Sequence, residues 1–227
     1  MSSFHRLFFS GRSWPRTQVI RRGQLEFKLA PGSPQPKPWL AFELAATGKG
    51  RPWSTRIALG FWRSFVEANF NDEATVLGFA QRYGDPDDKL RSSGGTADSA
   101  AWIGLQSEML YLAQAWGEPD AHGVSRRLTD DDQRLKQALG WWRFMLRHGG
   151  AGLRLEADPD GGFELVPVAP TLRTFMMASA GSALARAVPM RRCRHCRHWF
   201  ELLRKDANYC SPSCRAFYAA QKSETEE

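Results

Sequence analysis

The sequence predicts an α+β protein. It divides into a mixed N-terminal domain with short strands and several helices (residues 1–188), a small cysteine-bearing module (residues 189–222) and an acidic tail (residues 223–227). Three observations support this prediction. Hydrophobic residues make up 42% of the 227-residue chain, which is enough to bury a sizeable core. Short apolar runs bounded by turn formers alternate with stretches of helical character. All four cysteines fall in one short segment near the C-terminus.

The first strands are predicted on either side of a proline-rich connection. Residues 18–30 read QVIRRGQLEFKLA and residues 39–46 read WLAFELAA, both typical of strands, and PGSPQPKP between them is typical of an extended connection. Residues 56–70, RIALGFWRSFVEANF, fit a strand or a helix equally well. Further along, LRLEADPDGGFELVPV at residues 153–168 predicts two strands joined by an Asp-Gly turn.

The first helix is predicted from its two ends. Asn71 or Asp72 can cap its start, and Gly84 marks its end, because glycine readily adopts the backbone conformation that stops a helix. Apolar residues between these ends fall on one side of the helix. The polar stretch at residues 85–100 is then predicted to be a loop.

Three more helices are predicted in the remainder of the N-terminal domain. One covers about residues 101–116. Another begins at Thr129, where an acidic first turn suits the helix dipole, and ends at His148. The last follows Pro170 and leads directly into the cysteine-bearing module. We therefore expect that helix to be the structural joint between the two parts.

The cysteines stand in two close pairs, Cys193-x2-Cys196 and Cys210-x3-Cys214, separated by thirteen residues. Each pair can place two thiolates on one face of a tetrahedral ion, so together they predict a structural Zn²⁺ site. Four thiolates would leave no open coordination position, and this excludes a catalytic zinc.

The residues around the cysteines predict a treble-clef zinc finger. Residues 198–209 suit a short hairpin between the two pairs, with Phe200 and Tyr209 as its apolar contact. Ser211 and Pro212 are typical of a helix start, which would place Cys214 in the first turn of a closing helix. The predicted order is therefore a turn, a hairpin and a helix that carries the last ligand.

Other uses of the four thiols are weaker. The N-terminal residues MSSFHRLFFSGRSW contain no apolar run of signal-peptide length, and eighteen successive apolar residues occur nowhere, so we expect a soluble, cytoplasmic protein with no membrane segment. Disulfides are rare in that compartment. A thioredoxin-like pair is not indicated, because Cys193 and Cys196 do not follow a strand of a βαβ unit. His195 and His198 could each replace a cysteine, but solvent-facing basic residues are the simpler interpretation.

Two segments resemble a known family. CRHCRHWFELLRKDANYCSPSCR, residues 193–215, resembles the C-terminal zinc finger of bacterial CGNR-type proteins, and FVEANFNDEATVLGFAQRYG, residues 65–84, resembles part of the ABATE-type domain that precedes it. Arg215, Ala216 and Phe217 stand where the family continues Gly-Asn-Arg, which indicates a neighbouring branch. The resemblance implies a two-part bacterial regulator that binds nucleic acid or acts in stress. It also implies that the zinc ligands are Cys193, Cys196, Cys210 and Cys214.

Basic residues are concentrated around the cysteines. The chain has a net charge of +7, and residues 186–222 alone carry nine basic and two acidic residues. Clustered arginines bind phosphate well. The predicted nucleic-acid contacts are Arg191, Arg192, Arg194, Arg197, Arg204 and Arg215.

The leading hypothesis is a non-enzymatic zinc-finger protein that binds nucleic acid, DNA foremost, and regulates transcription. In this hypothesis the N-terminal domain binds a ligand or a protein partner. The main alternative is a zinc-stabilised protein-interaction module that binds no nucleic acid. An enzyme is not indicated, because Asp130, Asp131 and Asp132 fit an acidic helix start better than a catalytic or metal site. Trp141 and Trp142 fit a core helix face better than a ligand pocket.

Overall fold

The computed structural model describes residues 6–25, 39–57, 60–91, 95–148, 152–157 and 163–225. Within these ranges the chain forms six α-helices and three small sheets, which confirms the predicted α+β class. The strands are β1 Arg6–Ser13, β2 Thr17–Leu25, β3 Trp39–Ala46, β4 Arg51–Ile57, β5 Thr96–Asp98, β6 Val124–Ser125, β7 Gly152–Ala157, β8 Phe163–Ala169, β9 Met190–Arg192 and β10 Trp199–Glu201. The helices are α1 Phe61–Val66, α2 Glu73–Tyr83, α3 Ala100–Ala113, α4 Gln133–His148, α5 Leu172–Ala185 and α6 Pro212–Thr225.

Each of the three sheets combines strands from distant parts of the chain. The first has the strand order β4-β1-β8-β7, with β1 and β8 parallel and the other neighbours antiparallel. The second has the order β2-β3-β5 and is antiparallel. The third has the order β10-β9-β6, also antiparallel, so the two-residue strand β6 extends the hairpin of the cysteine-bearing module.

One hydrophobic core lies between the helices and the first two sheets. Its fully buried aromatic side chains include Trp62, Phe65 and Trp102 from α1 and α3. Met190 and Trp199 of the cysteine-bearing module belong to the same cluster. Among the described residues no helix combines the length and apolar character needed to cross a bilayer.

Several predicted elements are confirmed. Strands β2 and β3 lie where expected, and β7 pairs antiparallel with β8. The proline-rich connection and the Asp-Gly turn both fall outside the described residues. Helix α2 is capped as predicted, because an oxygen of Asp72 accepts a hydrogen bond from the N–H of Thr75 at 2.9 Å and Gly84 has φ of +97°. Helices α3 and α5 also match their predictions. The ambiguous segment 56–70 ends strand β4 and then forms α1.

Three predictions are wrong in detail. The segment 85–100 is not simply a loop: the buried Asp85 carboxylate accepts N–H groups of Lys89 and Leu90, and a short 3-10 helix and strand β5 follow. Helix α4 begins at Gln133 rather than after Thr129, because Asp132 accepts the N–H of Arg134 and so caps the helix itself.

The predicted position of the hairpin in the cysteine-bearing module is also wrong. The hairpin does not lie between the cysteine pairs, because β10 pairs back onto β9 and therefore encloses the first pair.

Candidate metal centre

The first cysteine pair lies in the tight turn of the β9–β10 hairpin. The N–H of Cys193 donates to the carbonyl of His198 at 2.8 Å, and the N–H of Arg197 donates to the carbonyl of Cys193 at 3.0 Å. Arg197 has φ of +61°, in the left-handed region that reverses the chain direction. These hydrogen bonds close the turn and place the sulfur atoms of Cys193 and Cys196 close together.

The second pair lies at the start of helix α6. The Ser211 side chain caps this helix, since its oxygen accepts the N–H of Cys214 at 3.1 Å. Cys214 is therefore in the first helical turn, as predicted, and Cys210 immediately precedes the cap. The order of a hairpin with the first pair and a helix with the last ligand agrees with the predicted small zinc finger.

The four sulfur atoms form one cluster suited to a metal ion. They all lie within 4.8 Å of one another. The Cys196 and Cys210 sulfurs are 3.6 Å apart, and the Cys210 and Cys214 sulfurs are 3.4 Å apart. A tetrahedral ion with metal–sulfur bonds of about 2.3 Å requires sulfurs about 3.8 Å apart, whereas a disulfide requires about 2.0 Å. All four cysteines are free, so the geometry fits an ion and not a disulfide pair.

The electrostatics of the cluster also favour a cation. Burial raises the pKa of Cys193, but backbone N–H groups, first that of Cys210, bond to its sulfur and lower the pKa to about 7. Burial raises the pKa of Cys210, and hydrogen bonds with neighbouring sulfurs raise that pKa further. The protein alone therefore stabilises the thiolate of Cys193 and opposes that of Cys210. A divalent cation would stabilise all four at once.

The side chains of the module's two histidines make other contacts. The His195 ring stacks on Phe217, with ring centroids 5.6 Å apart and an interplanar angle of 15°. His198 faces helix α2, where burial and then the nearby Arg82 lower its pKa. Within the described residues the cluster consists of the four cysteines and contains neither histidine.

The cysteine-bearing module, residues 189–222, is the metal module of this chain, and it packs on helix α1 through Trp199. This side chain is buried, and its Nε1 donates to a carboxylate oxygen of Glu67 at 2.8 Å. Its backbone N–H donates to the Ser64 hydroxyl at 2.8 Å. The guanidinium of Arg63 lies 5.1 Å from the centre of the Trp199 ring. Sequence reasoning did not single out these residues, because nothing in their local pattern indicates a contact between positions so far apart in the chain.

Further contacts cross the predicted boundary between residues 188 and 189. Val124 and Ser125 of β6 pair with β9 across it. On the N-terminal side of the boundary, Trp116 donates from Nε1 to the carbonyl of Val188 at 2.9 Å and so fixes the residue just before the module. Arg186, just before the boundary, forms an ion pair with Glu201 at 2.8 Å with both side chains largely buried. The module is thus bonded to the rest of the chain along one edge of its sheet.

The six predicted arginines fall into two groups. Arg191 donates to the carbonyl of Ala207 at 2.9 Å, and Arg192 pairs with Glu67 at 2.8 Å. The others are exposed, and their side chains make no hydrogen bond or ion pair within the described part of the chain. These are Arg194, Arg197, Arg204 and Arg215.

The remaining candidate residues have structural roles. Asp130 pairs with Arg127 at 2.9 Å, and Asp132 caps helix α4. Trp141 lies between the rings of Tyr111 and Phe144, with ring centroids 5.1 and 5.4 Å away. Within the described residues, none of these aspartates belongs to a cluster that could hold a metal ion.

Comparison with models of known protein families found no match, and comparison with curated proteins also found none. The four-cysteine cluster itself therefore carries the functional interpretation.

Proposed function

We propose that the chain is a zinc protein whose C-terminal module binds nucleic acid, DNA foremost, in a regulatory role without catalysis. The observation that supports zinc is the set of four sulfurs within 4.8 Å of one another. Zn²⁺ prefers tetrahedral thiolate ligands, and structural zinc sites commonly use four cysteines. Because four sulfurs fill that coordination shell, the ion serves to hold the module in shape.

Exposed arginines around the metal centre support nucleic-acid binding. Arg194 lies in the turn beside Cys193, and Arg215 lies in the first turn of α6 beside Cys214. Arginine presents a planar fork of donors that matches phosphate oxygens. If α6 enters a groove, Arg215 is placed to reach a phosphate or a base edge. The resemblance to CGNR-type fingers supports the same role.

Arg191 and Arg192 have a structural role in this proposal, because they make contacts within the chain. Each already bonds to a neighbour within the chain, so we assign them to holding the module in shape. Phosphate contacts are assigned to Arg194, Arg197, Arg204 and Arg215.

The test is fluorescence anisotropy of the zinc-loaded chain with duplex DNA, single-stranded DNA and RNA across a range of salt concentrations. The variant is Arg194→Gln/Arg204→Gln/Arg215→Gln. Arg197 is retained, because its φ of +61° would make a substitution there also a test of the turn. The control, Arg12→Gln/Arg16→Gln/Arg143→Gln, removes the same charge from exposed positions outside the module.

Binding to duplex DNA should weaken with salt by a log-log slope of about −0.9 per phosphate contacted. The module variant should reduce the size of that slope by up to about 2.7, and the control variant should leave it near the wild-type value. Failure to bind all three polymers at low salt would contradict the proposal, as would equal effects of the two variants.

A protein-interaction module is the second candidate. It is favoured by two exposed apolar side chains of the module, Leu203 at 73% and Phe217 at 62% exposure. Zinc retention without nucleic-acid binding in the same experiment would support this alternative.

A further inference from the structure

A cavity of about 220 Å³ lies where helices α1 and α2 meet the metal module. It is lined by Phe61 and Ser64 of α1, by Phe79 and Tyr83 of α2, and by His198 of the module. An apolar protein cavity of about 150 Å³ is large enough to hold benzene. The cavity therefore has room for a molecule with one aromatic ring and a small substituent.

Aromatic rings form the main wall of this cavity. The rings of Phe61 and Tyr83 are stacked, with centroids 4.6 Å apart and an interplanar angle of 4°. Phe79 packs against Tyr83 with centroids 4.8 Å apart. Such a wall suits a flat ligand, because aromatic rings pack favourably in offset-stacked or edge-to-face arrangements.

The charge at the cavity is positive. Arg82 lines it, and no aspartate or glutamate is among the described lining residues. Its guanidinium lies 5.1 Å from the centre of the Tyr83 ring and forms no ion pair with a carboxylate in the described part of the chain. An arginine fork binds a carboxylate through two parallel hydrogen bonds. The aromatic wall and the unpaired arginine together select an aromatic ring that carries a carboxylate.

Gly78 keeps the cavity open. It lies in the middle of α2 and lines the cavity, and a Cβ atom added there would meet no atom within 4 Å. Glycine is the least favourable residue in a helix interior apart from proline. A larger residue would therefore both fit at this position and favour the helix, but its side chain would enter the space that the ligand needs.

We propose that this cavity binds a small aromatic carboxylate, with the ring against Phe61 and Tyr83 and the carboxylate on Arg82. The proposal is independent of nucleic-acid binding by the module. It gives the N-terminal domain a ligand whose binding site includes a residue of the metal module, His198.

The test is an NMR titration of the full zinc-loaded chain with benzoate, and benzylamine serves as a ligand with the same ring and the opposite charge. Benzoate should shift the amide signals of Gly78 and Ser64 in a saturable way, with a Kd of about 1 mM or below. Benzylamine should cause no saturable shift. Absence of saturation by benzoate, or equal binding of both probes, would overturn the proposal.

Two pairs of variants locate the binding. Arg82→Gln should weaken benzoate binding by about tenfold or more, because it removes a charged hydrogen-bond partner, whereas Arg143→Gln on α4 should leave the Kd within about twofold. Gly78→Leu should abolish binding and preserve the fold. Its control is Gly140→Leu in α4, where an added Cβ also meets no atom within 4 Å. Wild-type affinity in Gly78→Leu, or equal losses in the controls, would show that benzoate binds elsewhere.

Discussion

Replacing Trp199 with alanine should destabilise the whole chain and not only the metal module. The side chain is 3% exposed and belongs to the hydrophobic core shared with α1. Its Nε1 donates to Glu67 at 2.8 Å, and Arg63 lies over its ring. The substitution would remove a large apolar surface and leave a carboxylate oxygen without its donor.

The expected loss in the free energy of unfolding is about 4 kcal/mol, the middle of the range for replacing a buried aromatic side chain with alanine. For a chain of this length that loss corresponds to a fall in Tm of about 12 °C. Trp199→Phe separates the two contributions. It keeps an aromatic ring and loses the hydrogen bond to Glu67, so we expect a loss of about 2 kcal/mol.

The assay is urea unfolding followed in parallel by circular dichroism and by zinc release to a chromogenic chelator. Because the module and α1 share a core, both signals should change together and shift together in Trp199→Ala. Phe217→Ala is the control, since this aromatic residue of the same module is 62% exposed and should cost less than about 0.5 kcal/mol. Two separate transitions, with only zinc release affected by Trp199→Ala, would refute the reasoning.

Three further outcomes are expected. Ala187 follows α5 with φ of +51°, so Ala187→Gly should raise the free energy of unfolding by about 1 kcal/mol, and a loss of stability in urea unfolding would contradict this. Hydrogen bonds from the N–H of Val124 and then from the Arg126 side chain lower the pKa of Asp120 from 3.8 to about 2. The charged Asp120 carboxylate therefore stabilises the fold fully above about pH 4, and this contribution is lost as the pH falls through about 2. An NMR titration of this carboxyl with a midpoint near 3.8 would be inconsistent with the structure. His198→Ala should retain one zinc per chain in elemental analysis, because the four sulfurs already fill the shell; loss of zinc would make His198 a ligand.

Local chemistry made several elements predictable. Helix α2 is specified by residues at its own ends, the Asp72 cap and the positive φ of Gly84. The position of Cys214 in the first turn of α6 follows in the same way from the Ser211 cap. The spacing of the cysteine pairs predicted their clustering, because a short turn and a helix start each limit where a sulfur atom can lie.

Contacts between distant residues were not predictable from local patterns. Trp199 bonds to Ser64 and Glu67, more than a hundred positions earlier in the chain, and no periodicity or cap indicates that pairing. Residues 198–209 suit a short hairpin between the cysteine pairs when only the local sequence is considered. The register of β9 with β10 instead places the first pair inside it. The three backbone hydrogen bonds accepted by the buried Asp85 carboxylate likewise depend on chain folding that the polar composition of residues 85–100 does not show.

X-ray absorption at the zinc edge, combined with elemental analysis of protein purified under reducing conditions, tests the metal centre most directly. The four-sulfur cluster predicts one zinc per chain with four sulfur neighbours at about 2.3 Å and no nitrogen neighbour. A shell containing nitrogen, a chain without zinc after metal repletion, or two disulfides found by mass spectrometry would contradict the assignment of Cys193, Cys196, Cys210 and Cys214 as its ligands.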